Sequence, residues 1–85
     1  MSLPIGLTKA FYVLLRAEQL SESTKGTVTT IRCAIGGCPQ HWARIESENK
    51  ATNRAATATD RRVAALHIAQ HHSDTYARFC EGGAK

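Results

Sequence analysis

Two short stretches, far apart in the chain, carry side chains of the kinds that bind a soft metal. The first runs Ile31-Arg32-Cys33-Ala34-Ile35-Gly36-Gly37-Cys38-Pro39-Gln40-His41-Trp42, and the second is His67-Ile68-Ala69-Gln70-His71-His72. A tetrahedral zinc site takes four thiolate or imidazole ligands, and two cysteines flanking a Gly-Gly turn supply two of them. Histidines four apart on a helix share a face and supply two more. No other feature restricts the fold as strongly, because it requires residues 33–38 and 67–72 to meet.

The rest of the composition makes such a staple necessary. Eighty-five residues bury a thin core, and a chain of this size commonly leans on a metal or disulfides. Its aromatic residues are only Phe11, Tyr12, Trp42, Tyr76 and Phe79, and much of its apolar content is alanine. The 3 cysteines are an odd number and no secretory leader pattern precedes them, so a reducing, cytoplasmic setting is expected. The apolar run 10–15 is too short to span a bilayer, and no membrane partner is expected.

Residues 1–8, with Pro4 and Gly6, read as an N-terminal arm. Residues 9–46 read as strands carrying the cysteine knuckle, 47–56 as a loop, 57–80 as a helix and 81–85 as a tail, all within one domain. Residues 27–33, rich in Thr, Val and Ile, are the clearest strand, and residues 21–26 look like turn chemistry. Residues 9–19 fit either periodicity. As a helix they stack Leu7, Phe11, Leu14 and Leu15, but Glu18 falls into that stripe, and a hairpin partner for 27–33 favours a strand. Thr57 is the expected N-cap of the helix, with Asp60 in its first turn, and Gly82-Gly83 ends it. The expected fold is therefore α+β: an antiparallel hairpin or three-stranded meander followed by one long C-terminal helix, clamped by a single structural zinc.

Angles around that helix select the ligands. His71 lies about 40° from His67 and His72 about 140° away, at 100° per residue. The expected ligand set is Cys33, Cys38, His67 and His71, with His72 or His41 as alternatives for one position. Cys80 falls about 20 Å beyond His67 on a straight helix, out of reach. The opposite side of the helix carries Ala65, Ile68, Tyr76 and Phe79. That second apolar face requires a cover, either the N-terminal segment or another copy of the protein.

Ile31 stands two residues before the first cysteine, and Trp42 four after the second. With the histidines on a helix, this resembles the two-cysteine, two-histidine zinc finger over residues 31–42 and 63–72. The resemblance implies a structural zinc and a nucleic-acid-binding or regulatory role. Two departures limit it. The family places about twelve residues between second cysteine and first histidine, whereas 28 lie between Cys38 and His67 here. Ala64 also stands where the family has leucine, so none of its base-reading positions is carried over.

Catalytic signatures are absent. The residue after His67 is Ile68, not the glutamate of a metalloprotease helix, and no lysine follows Gly36-Gly37 to make a phosphate loop. Neither enzymatic activity nor a small-molecule substrate is expected. The formal charge of +4 suits a polyanion, and Arg44, Lys50, Arg54, Arg61 and Arg62 are the candidates for nucleic-acid backbone contacts. The alternative is a protein-interaction module or homodimeric adaptor working through Ala65, Ile68, Tyr76 and Phe79.

Overall fold

A computed structural model describes residues 6–81 of the chain. Helix α1 (Gly6–Arg16) leads into three strands, β1 (Leu20–Lys25), β2 (Val28–Cys33) and β3 (His41–Ile45). The long helix α2 (Lys50–His71) follows, then a single helical turn, α3 (Ser73–Tyr76), and a π-helical turn over Ala77–Glu81. The strands form one antiparallel sheet in the order β1-β2-β3. The α+β architecture with a three-stranded meander is thus the one expected from sequence, but several boundaries differ.

Most of residues 9–19 form helix rather than strand. Leu7, Ala10, Phe11 and Leu14 recur at helical spacing and are all buried. The objection from Glu18 disappears because α1 has already ended. Glu18 adopts a left-handed backbone, φ 62°, in a Schellman cap: its N–H donates to Leu15 O at 3.1 Å and that of Gln19 to Leu14 O at 2.9 Å. The expected turn at 21–26 is largely β1, an edge strand so polar that only Leu20 is buried. A two-residue connection, Gly26-Thr27, closes the hairpin on the pair Lys25 and Val28. Gly26 supplies the positive φ, 60°, that a primed hairpin turn demands.

The expected loop at 47–56 is mostly helix as well. Asn49, not Thr57, is the N-cap, and its side chain accepts from Thr52 N at 3.1 Å. Ser47 and Asn53 bond each other across this start, Ser47 N donating to Asn53 Oδ1 at 2.8 Å. At the other end the helix does not run on to Phe79. It stops at His71, and His72 leaves helical geometry at φ −134°, ψ 54°. The positions 1–5 of the expected arm and 82–85 of the expected tail lie outside the described residues.

Register fixes the two faces of the sheet. Cα pairing sets Leu20 against Cys33, Glu22 against Ile31 and Ile31 against Trp42. These side chains share the face that meets the helices, with Leu20, Ile31 and Cys33 buried there. The other face presents Ser21, Arg32 and His41 in one row, Ser23, Thr30 and Ala43 in the next, and Lys25, Val28 and Ile45 in the last. No element packs on that face among the described residues. The core is Phe11 and Leu14 of α1, Leu20 and Ile31 of the sheet, and Ala64, Ala65 and Ile68 of α2.

The N-terminal helix therefore covers the part of the second apolar face that α2 itself carries, and leaves Tyr76 and Phe79, beyond α2, lining a groove with Val13. Ala65 and Ile68 are fully buried, and Tyr76 and Phe79 are half-buried against the same core. Arg61 adds a polar stitch: it donates twice to Glu22, at 2.8 and 2.9 Å, and once to the Tyr12 hydroxyl at 2.9 Å. Its guanidinium also lies over the rings of Phe11 and Tyr12, 5.8 and 5.6 Å from their centroids.

Candidate metal centre

The site forms where the end of β2 faces the end of α2. Cys33 is the last residue of its strand, placed inward by the same alternation that buries Ile31. The chain then reverses through Ile35-Gly36-Gly37-Cys38, closed by Cys38 N donating to Ile35 O at 3.0 Å. Gly37 occupies the third turn position with φ 78°, where a side chain would be strained. This knuckle brings Cys38 back beside Cys33.

Cys33, Cys38, His67 and His72 offer four ligand atoms that all lie within 4.8 Å of one another. His72 replaces the expected His71, and the cause is the break in the helix. The 140° separation holds only while the backbone stays helical; the turn at His72 carries its ring round to the side of His67. His71, still helical, is exposed and stacks its ring 5.1 Å from that of His67 without joining the cluster. His41 sits on the open sheet face, its Nδ1 3.2 Å from Pro39 O. Cys80 lies away from the site, its sulfur 3.9 Å from Ala10 O of α1.

The separations suit zinc. A tetrahedral ion with Zn–S about 2.3 Å and Zn–N about 2.05 Å sets sulfur and nitrogen roughly 3.6 Å apart. Cys33 Sγ to His72 Nε2 is 3.6 Å, and Cys38 Sγ to His67 Nε2 is 3.4 Å. The same distances serve as thiol–imidazole hydrogen bonds when no metal is bound. Two sulfurs and two imidazole nitrogens are a donor set for zinc rather than for calcium or magnesium, which take oxygens. Trp42 packs edge-on against His67, ring centroids 5.4 Å apart, and so fixes the orientation of one ligand.

Burial tunes the donors in opposite directions. Desolvation, aided by Cys38, pushes the Cys33 thiol above its ordinary range, against a backbone hydrogen bond from Ile35. Desolvation first, and then the neighbouring His72 and His71, holds the His67 imidazole below its ordinary value. The shift of His67 favours the neutral imidazole that ligates, and the raised Cys33 thiol is one that a bound cation would help to ionise.

The expected backbone-contacting cations are dispersed. Arg44 donates to Asp60 twice, at 2.7 and 2.9 Å, and Arg61 is held by Glu22. Arg62 is half-buried, with its Nε unbonded. Lys50 and Arg54 rim a polar cleft shared with Glu22 and Glu46. No helix among the described residues is long and apolar enough to cross a membrane. The His72 position could have been found from sequence only by foreseeing the helix break, for which the polar run His72-Ser73-Asp74 is the sole local signal. No protein-family model, curated protein or solved structure matches the chain, so the site is read from its own geometry.

Proposed function

We propose that the protein is a small zinc-finger-like, nucleic-acid-binding domain in which one zinc ion, held by Cys33, Cys38, His67 and His72, is structural. The observation carrying the zinc is the four-atom cluster, with its sulfur–nitrogen separations of 3.6 and 3.4 Å. Bound there, zinc ties the β2–β3 knuckle to the end of α2. With all four positions filled by protein groups, no site is left for a substrate or an activated water, so we read the ion as a staple and the protein as non-enzymatic.

Nucleic acid is favoured over a protein partner by the fate of the apolar face. An interaction module working through Ala65, Ile68, Tyr76 and Phe79 needs that surface free, whereas Ala65 and Ile68 are fully buried and only Tyr76 and Phe79 still line a groove, beside Val13 of α1. The chain as a whole carries a charge surplus of +4, which suits a polyanion. Native mass spectrometry should find one zinc per chain, and a fluorescein-labelled duplex should bind at about 50 mM salt and dissociate as salt rises. Metal-free protein with an unchanged melting curve after chelation would overturn the first part, and no duplex binding the second.

A further inference from the structure

We infer that the nucleic-acid backbone docks on the open face of the sheet, at Lys25 and Arg32, and not on the arginines of α2. This rests on the nucleic-acid reading above and places the contact. Lys25 and Arg32, with Ser23, Val28 and Thr30 between them, line one depression across β1 and β2. Among the described residues neither cation has a carboxylate partner, in contrast to Arg44 and Arg61. No acidic residue belongs to that face; Glu22, the nearest in register, points to the helices and holds Arg61. Two cations without carboxylate partners at the ends of this depression, with Ser23 and Thr30 beside Val28 between them, are complementary in charge to phosphodiester oxygens.

The occupant is a duplex rather than a single strand. Sequence-tolerant binding of single strands needs aromatic rings on which bases stack. The open face carries a single ring, the imidazole of His41 beside Arg32, while Trp42 shares the inward side with Ile31 and lies against His67. Lys25 pairs with Val28, four residues from Arg32 along β2, so the two cations are rooted roughly 13 Å apart and meet different phosphates. Contacts of this kind position a protein on the duplex without reading its bases.

The experiment is a salt titration of a fluorescein-labelled 20-base-pair duplex, followed by anisotropy from about 50 to 200 mM salt. Two phosphates contribute about −1.8 to the log–log slope, or about a 12-fold fall in affinity over that range. The double variant Lys25→Ala/Arg32→Ala should lose that share, while Lys50→Ala/Arg54→Ala keeps the parent slope. Both altered side chains are exposed, so zinc content and melting temperature should match the parent and certify the fold. If the parent binds and the sheet variant keeps its slope, the docking face is wrong and the nucleic-acid reading stands. A single strand of equal length binding more tightly would overturn the choice of duplex. No binding by the parent at about 50 mM salt overturns both readings together.

Discussion

Replacing His72 with alanine should release zinc far more readily than replacing His71, although only His71 shares a helical face with His67. The geometry leaves little room for substitution between them. The Nε2 of His72 stands 3.6 Å from Cys33 Sγ, a tetrahedral edge, while His71 is exposed and outside the group of mutually close ligand atoms. Structural zinc in comparable sites is worth about 10–16 kcal/mol at neutral pH. Divided evenly over four ligands, one ligand carries about 2.5–4 kcal/mol, or about 10²–10³ in the zinc dissociation constant. Competition against a chromophoric chelator at pH 7 would read that factor directly for His72→Ala. His71→Ala, which only removes a ring stacked on a ligand, should stay within about tenfold, the low end for groups that merely support a ligand. Equal impairment of the two variants, or a worse loss in His71→Ala, would refute His72 as the ligand.

Further expectations follow from the same contacts. Leu14→Ala empties a fully buried position shared by α1 and the sheet and should cost about 2–5 kcal/mol, read by denaturant unfolding of the zinc-loaded protein; a loss under 1 kcal/mol would mean that α1 does not pack as described. Arg61→Ala removes a bidentate bond to Glu22 and the cover over Phe11 and Tyr12, for a loss of about 1–3 kcal/mol, and a neutral outcome would return Arg61 to the free surface cations. Glu18→Gly relieves a left-handed backbone at φ 62° and should stabilise the fold by up to about 1 kcal/mol. Because His67 is held below its ordinary value, the unfolded chain takes up its proton first on acidification. Stability should therefore fall as pH drops through about 6.5, more steeply with zinc bound, since protons then compete for every ligand; a melting temperature flat from pH 7 to 5 would contradict this.

The ligand types and two of the three strands, β2 and β3, are legible in the sequence because they rest on local chemistry. Cysteines around Gly36-Gly37 specify a turn wherever they occur, and the β-branched run of β2 has no competing periodicity. Elsewhere in the chain two patterns compete. In residues 9–19 an apolar alternation at Phe11, Val13 and Leu15 coexists with the helical set Leu7, Ala10, Phe11 and Leu14. Only the packing of that set on α2 decides between them. Asn49 gives little cap signal in the sequence because the turns after it are amphipathic only weakly, though Ala51, Ala55, Ala56 and Ala58 are strong helix formers. The choice of His71 assumed a straight helix, and the break at His72 is a tertiary outcome. Arginine roles were the least legible, since the carboxylates that capture Arg44 and Arg61 lie 16 and 39 residues away.

The fold is expected to hinge on a zinc ion with two sulfur and two nitrogen ligands at the junction of β2 and α2. X-ray absorption at the zinc edge of the purified, reduced protein tests it without a crystal. Two sulfurs at about 2.3 Å and two nitrogens at about 2.0–2.1 Å are expected, reduced to a single sulfur in Cys33→Ser or Cys38→Ser and unchanged in Cys80→Ser. A shell of only nitrogen and oxygen, or a metal-free chain with Cys33 and Cys38 joined as a disulfide, would contradict it.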